Sequence, residues 1–267
     1  DESQFSRNDF GPMKFCSEKD LEAIVGDAEK RPKISVMVDI GRVNPKDIIP
    51  KGESYIDLMR VASYVKDIDK AIDLVNTIKS KGYETTINIM AVSQARENEL
   101  DEALSQIEEE SGVDVVYLVD SFGALYSEQI AYLAKKYKGI LKTRELGIHA
   151  HNNQQLAFAN TIEAIIQNVN YLDGTIYGIG RAAGNCPLEL LLGFLKNPKF
   201  DVGPILHVIG KEFLKLREEI EWGYTVPYMI TGSLDIHPRV AMALRKTNEK
   251  NEFLGFYNKL TSEMTNV

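Results

Sequence analysis

Short apolar runs alternate with amphipathic segments along the first 200 residues of the chain. The runs are apolar at nearly every position, whereas a segment such as 67–81 carries its apolar residues at helical spacing. Continuous apolar strands joined by amphipathic helices are typical of a parallel sheet covered on both faces. The pattern predicts six strand–helix units. The predicted strands are 33–40, 55–61, 84–92, 113–119, 145–148 and 171–177.

The helical pattern predicts where the connecting helices begin and end. Ser17 is placed to cap an early helix, after an irregular polar loop over residues 1–14. The helices between the strands are predicted at 67–81, 99–110, 127–137, 154–168 and from Pro187 onward. Beyond residue 200 we predict helices at 207–221, 238–251 and 252–264, with a loop at 222–233. We therefore predict two domains, an α/β domain over 1–200 and a helical C-terminal extension over 201–267.

Polar residues follow nearly every predicted strand. They are Asp39, Arg60, Asn88 with Ser93, Asp120 with Ser121, His149 with His151, and the polar positions between Tyr177 and Asn185. In a doubly wound sheet such residues gather at one switch point, whereas in a barrel every strand contributes to one rim. The pattern favours a barrel with a central site. Taken singly, several have simpler explanations, since Asp39 and Arg60 can neutralise each other and Asp120 can cap the next helix.

Two of the four histidines, His149 and His151, stand at i and i+2 where a predicted strand ends. Strand geometry points both imidazoles to the same face. With an oxygen ligand from elsewhere, two neutral imidazoles form a plausible divalent metal site. The alternative is a pair of strand histidines hydrogen-bonded to their neighbours. His207 and His237 lack a second ligand at useful spacing, so we expect them to be structural or exposed.

A glycine-rich run, Gly178-x-Gly180-x-x-x-Gly184, follows the last predicted strand. Its spacing differs from the dinucleotide fingerprint, and no acidic strand end follows at the usual interval. A flexible loop whose backbone approaches an anionic ligand, with Arg181 supplying positive charge, fits the run better.

Composition and net charge limit the partners and the cellular compartment that we expect. The chain has 267 residues and a net charge of −8, which argues against nucleic acid or an anionic membrane as partner. No apolar run approaches the roughly 20 residues that cross a bilayer. With only Cys16 and Cys186, we expect a reduced, cytoplasmic protein without a disulfide framework.

Several of these motifs together resemble one enzyme family. His149-Ala150-His151-Asn152, preceded by Asp120-Ser121-x-Gly123-Ala124 and followed by Gly184-Asn185-x-Pro187-x-Glu189, is similar to the metal-dependent superfamily of 4-hydroxy-2-oxovalerate aldolase, HMG-CoA lyase and isopropylmalate synthase. The similarity is strongest to 4-hydroxy-2-oxovalerate aldolase-like proteins and covers roughly residues 33–195. It implies a TIM (β/α)8-type barrel.

The resemblance also implies roles for individual residues. His149 and His151 would bind the metal, and Asn185 lies where the lyases keep an asparagine close to it. Ser121 lies where the aldolases place a hydroxyl near pyruvate. The segment 223–228 is similar to one that places a tyrosine over the site as acid or base, and either Tyr224 or Tyr228 would serve. Arg60, Asp120 and Arg181 are the candidate substrate-binding residues.

One departure from the family pattern concerns its first strand, which ends in Arg-Asp-Gly. That Asp completes the metal site and that Arg polarises the keto acid, yet the motif occurs nowhere in this sequence. We therefore expect the six strands to correspond to strands three to eight of the barrel. The third protein ligand is expected upstream of residue 1. If it is absent altogether, the metal site is degenerate.

The family chemistry implies a divalent metal, Mn²⁺ or Mg²⁺, that stabilises an enolate while the C3–C4 bond of a 4-hydroxy-2-oxo acid breaks to give pyruvate and an aldehyde. The predicted strands carry no lysine past a first residue, which argues against a Schiff-base mechanism. The alternatives are an acyl-CoA lyase or synthase of the same superfamily, and a non-catalytic barrel. We expect a homo-oligomer, and the resemblance alone suggests an aldehyde dehydrogenase as partner.

Overall fold

The computed structural model describes residues 6–26 and 31–265 and has an α/β fold built on a six-stranded sheet. The strands follow one another in sequential order, and the pairs β1–β2, β2–β3 and β5–β6 are parallel. The strands are β1 Ser35–Asp39, β2 Leu58–Ser63, β3 Glu84–Ile89, β4 Val115–Asp120, β5 Glu145–Ala150 and β6 Tyr171–Leu172. The six predicted strands are therefore present, and β1 is joined to β2 by the 3₁₀ turns Pro45–Asp47 and Lys51–Glu53.

Helices precede β1, follow each strand from β2 to β6, and continue to the C-terminus. They are α1 Arg7–Phe10, α2 Glu18–Val25, α3 Ile68–Ser80, α4 Glu97–Glu110, α5 Ser127–Ile140, α6 Ala157–Ile166, α7 Leu188–Leu195, α8 Gly203–Val208, α9 Leu214–Glu219, α10 Val226–Ser233, α11 Arg239–Leu244 and α12 Phe253–Thr265. A π-helical stretch, Ile209–Phe213, joins α8 to α9. In the described part of the chain no helix combines the length and the apolar character that crossing a membrane requires.

The chain divides into two compact units. The first comprises the chain up to Met90 together with Ala95–Tyr117 and Tyr137–Leu146. In this unit α3 packs on β2 and β3. The apolar residues at helical spacing in this segment lie on one face of α3, and all of them are buried: Ile68, Ala71, Ile72, Val75 and Ile78. Burying this stripe against two apolar strands is what stabilises an amphipathic helix of this length.

For the N-terminal part of the first unit, one sequence prediction was confirmed and another was partly wrong. The Ser17 side chain accepts a hydrogen bond from the Asp20 N–H, as expected of a cap on α2. The prediction of an irregular loop over 1–14 was wrong for Arg7–Phe10, which is helical, and for the 3₁₀ turn Pro12–Lys14. Residues 1–5 of that predicted loop lie outside the described residues.

Asp39 and Arg60, the polar residues of the first two strands, each have a contact in the structure. Asp39 pairs with Arg42 at 2.9 Å, and the guanidinium of Arg60 lies 4.4 Å from the centre of the Tyr117 ring.

The second unit comprises Ala91–Gln94, Leu118–Lys136 and Gly147–Val267. Its C-terminal helices form a hydrophobic cluster with the glycine-rich loop that follows β6. The buried members are Ala182, Ala183, Tyr228, Ile230, Ala241, Phe256 and Leu260. The loop is therefore supported by α10, α11 and α12, and the position of its polar residues depends on this packing.

Three predictions over the second unit were wrong in extent or kind. The strand predicted at 171–177 ends at Leu172, although Thr175 forms an isolated bridge with Pro187. The predicted loop at 222–233 contains helix α10, which begins after Thr225 and has Pro227 in its first turn. Proline is tolerated there because the first turn has no N–H partner to lose. The helix predicted at 238–251 ends at Leu244.

Candidate functional site

The two histidines of the motif lie side by side in the second unit. His149 belongs to β5, and His151 lies directly after it, in an antiparallel bridge with Asn185. Their ring centres are 4.9 Å apart, and the ring planes are inclined by 78°. The strand therefore brings two imidazoles together, with a loop of the same unit paired to its end.

Each imidazole is oriented by a hydrogen bond at Nδ1. Nδ1 of His149 lies 2.8 Å from Oδ2 of Asp173, and Nδ1 of His151 lies 2.9 Å from the carbonyl oxygen of Asp120. Both partners are acceptors, so each Nδ1 carries the proton and each Nε2 has a free lone pair. Within the described residues neither Nε2 has a protein hydrogen-bond partner. A histidine that gives its second N–H to a carboxylate or carbonyl is typical of metal ligands.

The charge state of His151 also fits a metal ligand. Burial, followed by the nearby His149, lowers the pKa of His151 to about 4. The ring is consequently neutral at pH 7, as an imidazole ligand must be. The two residues thus fit a divalent ion, and their Nε2 atoms are the ones that would bind it.

The glycine-rich loop lies beside this pair. The Asn152 N–H donates to the Gly184 carbonyl at 2.8 Å, and the Asn185 N–H donates to the Gly178 carbonyl at 3.1 Å. The Asn185 side chain donates through Nδ2 to the Ile179 carbonyl at 2.9 Å, which leaves its Oδ1 as an acceptor. Asn185, whose backbone bridges His151, thus offers an amide oxygen, a donor that is chemically suited to a hard divalent cation or to a group bound to it.

The turn after β4 forms a second side of the site. Asp120 is fully buried, and its carboxylate accepts hydrogen bonds from the N–H groups of Ala124 at 2.9 Å and Leu125 at 3.3 Å. Burial raises the pKa of Asp120 to about 7 despite these bonds. The Ser121 Oγ accepts from the Ala91 N–H at 2.8 Å, so its own proton remains free to donate. The Asp120 carboxylate therefore holds this turn through its two hydrogen bonds to the backbone. Ser121 is largely buried, with 8% of its surface exposed.

The other candidate residues lie in different environments. Arg181 is exposed on the glycine-rich loop, and its charge contributes to lowering the pKa of His151. Tyr228 is buried in the apolar cluster of the C-terminal helices, whereas Tyr224 is 56% exposed. Arg60 belongs to the first unit. The second unit therefore contains every candidate site residue except Arg60.

Two features of the second unit were missed from the sequence. Asp173 was assigned only to a strand, yet its carboxylate orients His149; an acid at the end of the neighbouring strand was the available signal. His237 is expected from the sequence only to be structural or exposed, yet its ring packs 5.2 Å from that of Phe122. Among the described residues no group of three or more His, Cys, Asp and Glu side chains is placed to hold a metal.

Comparison with known sequences identifies the class of protein. The HMGL-like family matches residues 50–210, and the chain belongs to this family. It is 32% identical over 218 residues to 4-hydroxy-2-oxovalerate aldolase from Thermus thermophilus, which is 76% of this chain and 60% of that protein. It is also 32% identical over 142 residues to oxaloacetate decarboxylase from Mycobacterium tuberculosis, which is 53% of this chain and 42% of that protein. The chain thus spans about 60% or less of these curated relatives.

Solved structures support the same fold. The N-terminal domain of a candidate aldolase from Bacteroides vulgatus superposes with a TM-score of 0.72 at 28% identity, covering 88% of this chain and 80% of that one. The carboxyl transferase domain of Rhizobium etli pyruvate carboxylase superposes with a TM-score of 0.61 at 13% identity, covering 83% of this chain and 41% of that one. At that identity the second similarity concerns the fold alone.

Proposed function

We propose that this chain contributes the metal-binding histidines of a carbon–carbon lyase that cleaves a 4-hydroxy-2-oxo acid to pyruvate and an aldehyde. The observation that carries the proposal is the pair of imidazoles, His149 and His151, whose Nδ1 atoms are both bonded to acceptors. The names of the curated relatives supply the substrate class. A divalent ion, Mn²⁺ or Mg²⁺, would supply Lewis-acid stabilisation of the charge that develops on the 2-oxo acid.

The chain's own residues have distinct tasks in this reaction. His149 and His151 would hold the ion through Nε2, and Oδ1 of Asn185, whose backbone bridges His151, would be a further acceptor. The Ser121 hydroxyl donates to the pyruvate portion, and Arg181 supplies positive charge for the substrate carboxylate. Tyr224 or Tyr228 exchanges the proton of the C4 hydroxyl.

Two imidazoles do not complete the ligand set of such an ion. We propose that the third protein ligand, an Asp, comes from protein outside residues 1–267. In the same way, we propose that the six strands belong to a (β/α)8 barrel, as its strands three to eight. Supporting this, β1 and β6 stand at the two ends of the strand order. A homo-oligomer and an aldehyde dehydrogenase partner remain predictions from the sequence.

The experiment uses the natural polypeptide that contains this chain, loaded with Mn²⁺, and measures pyruvate release from 4-hydroxy-2-oxo acids and from oxaloacetate. We expect cleavage of the hydroxy acid, loss on EDTA treatment, recovery with Mn²⁺, and no lysine adduct after borohydride. His151→Ala should abolish activity and weaken Mn²⁺ binding. His207→Ala is the matched control, because His207 is an exposed histidine on α8.

Several outcomes would contradict the proposal. They are unchanged cleavage after metal removal, a trapped lysine adduct, and full Mn²⁺ affinity in His151→Ala. Release of pyruvate from oxaloacetate alone would assign a decarboxylase instead, the activity named for the Mycobacterium tuberculosis relative.

A further inference from the structure

The chain between α10 and α11 is attached to the turns that carry the candidate site. The Ser93 hydroxyl donates to Oδ1 of Asp235 at 2.8 Å, and Nε2 of Gln94 donates to the Asp235 carbonyl at 2.6 Å. Ala91, just before these residues, donates its N–H to Ser121. Hydrogen bonds therefore connect Asp235 to the turn after β4, all within the second unit.

The backbone at Asp235 is held in an unfavourable conformation. Its φ is +50°, in the left-handed region that costs a non-glycine residue roughly 1 kcal/mol or more. Conformations of this kind persist where surrounding contacts fix them, and they occur frequently at functional sites. Here the contacts are the two hydrogen bonds from Ser93 and Gln94. These two hydrogen bonds hold the backbone at Asp235, two residues before His237.

His237 is placed as a hydrogen-bond donor. Its ring lies 5.2 Å from the ring of Phe122, the residue that follows Ser121. Its Nδ1 accepts the N–H of Arg239 at 3.1 Å. An Nδ1 that accepts has no proton, so in the neutral ring the proton is on Nε2. The tautomer of His237 is thus opposite to that of His149 and His151.

Burial and the neighbouring charges favour the neutral form of the His237 ring. Burial, followed by Arg181 and then Arg239, lowers the pKa of His237. Arg181 also contributes to lowering the pKa of His151. Arg181 therefore acts electrostatically on both His237 and His151.

We propose that His237 is a substrate-binding residue whose Nε2–H donates a hydrogen bond to the oxygen on C4 of the hydroxy acid. The inference rests on the proposed function and assigns the part of the site that receives the aldehyde. During cleavage the C3–C4 bond breaks, its electron pair stays with C3, and the C4 hydroxyl proton passes to the tyrosine base. His237 neither gains nor loses a proton. Its N–H stabilises the negative charge on the C4 oxygen while that oxygen becomes a carbonyl.

The test compares two variants of the Mn²⁺-loaded natural polypeptide in two reactions. His237→Phe keeps a ring against Phe122 and removes the donor, whereas His237→Gln keeps an N–H at a similar position. The first reaction is cleavage of the hydroxy acid. The second is exchange of the C3 protons of pyruvate with D₂O, followed by proton NMR, which needs the metal site and no aldehyde.

We expect His237→Phe to lower kcat/KM for cleavage about 100-fold, the usual effect of removing one donor to a developing oxyanion. His237→Gln should remain within about fivefold of the parent, and both variants should exchange pyruvate protons at about the parent rate. The parent Mn²⁺ affinity should be retained in both.

The outcomes separate this inference from the proposed function. A parent that neither cleaves nor exchanges refutes the proposed function itself. If the parent is active, near-parental cleavage by His237→Phe refutes the role of His237. So does an equal loss of cleavage in His237→Gln, because that variant retains a donor. Loss of both reactions in the two variants would show that His237 only supports the structure.

Discussion

Gly184 is the position where a single methyl group should disturb the candidate site most. Its φ is +81°, and a Cβ built there would lie 2.1 Å from the carbonyl oxygen of Gly178. That oxygen accepts the N–H of Asn185, so it cannot move without loss of the bond. The Gly184 carbonyl in turn accepts the N–H of Asn152 at 2.8 Å. Gly184→Ala must therefore strain the loop or break its attachment to the histidine strand.

The cost follows from these contacts. A left-handed conformation costs a residue with a Cβ about 1–2 kcal/mol, and each hydrogen bond that is broken costs about 1 kcal/mol more. Since the overlap involves backbone on both sides, we expect a total loss of about 3–5 kcal/mol in the free energy of unfolding. For a chain of this size that corresponds to a fall of about 10 °C in Tm.

The assay can use the single tryptophan of the chain. Trp222 is buried, its Nε1–H donates to the Tyr177 carbonyl at 2.9 Å, and its Cδ1 would lie 3.7 Å from a Cβ at Gly184. Denaturant unfolding followed by Trp222 fluorescence should therefore report on this loop directly. Gly193→Ala is the matched control, because Gly193 lies in α7 with nothing within 4 Å of its Cβ.

The control should gain about 0.5–1 kcal/mol, the ordinary benefit of alanine in a helix. If Gly184→Ala loses less than about 1 kcal/mol, the loop is not held as described, and the close approach of residues 178 and 184 does not constrain it.

Two further predictions concern charged groups. Burial by itself raises the pKa of Asp57, but hydrogen bonds from Arg31, the Ile34 N–H and Lys51 outweigh it and hold the pKa well below its ordinary value. The ionised carboxylate thus stabilises the fold at neutral pH, and Asp57→Asn should cost about 2 kcal/mol in urea unfolding at pH 7. Asp173→Asn should weaken Mn²⁺ binding by about 10- to 100-fold in titrations of the natural polypeptide, because His149 loses its anionic partner.

For each of these two predictions, a specific result would contradict the argument. The stability that a carboxylate with a lowered pKa contributes is present above its unfolded pKa and is lost as the pH falls through the folded value. The difference between parent and Asp57→Asn should therefore shrink below about pH 4, and a difference that grows on acidification would refute the argument. For Asp173, the control is Glu218→Gln, an exposed acid on α9. Equal Mn²⁺ affinity in both variants would show that Asp173 does not orient His149.

The sequence predicted elements well wherever one local pattern determined the outcome. The apolar stripe of α3 and the Ser17 cap of α2 are local features, and both were confirmed. Helix α10 was missed because Gly223, Pro227 and Gly232 are typical of loops. In the structure, burial of Tyr228 and Ile230 in the C-terminal cluster outweighs those local preferences. A single-sequence pattern contains no information about that packing partner.

The candidate site likewise combines features that local spacing determines with contacts that depend on the arrangement of the strands. The i, i+2 spacing of His149 and His151 predicted that both side chains share a face, because strand geometry alone decides it. Their partners are 24 and 31 residues away along the chain. Contacts of that range depend on how the strands are arranged, so Asp173 and the Asp120 carbonyl could not be assigned from spacing.

His149, His151 and His237 do not all present the same group at Nε2, because their Nδ1 atoms have different hydrogen-bond partners. A carboxylate at His149 and a backbone carbonyl at His151 are acceptors, so both rings present a lone pair at Nε2, as a cation requires. A backbone N–H at His237 is a donor, so that ring presents a proton at Nε2, as a substrate oxygen requires. The residue type is the same in all three cases. We infer that the different roles follow from the placement of two acceptors at the ends of β4 and β6 and of a donor at the start of α11.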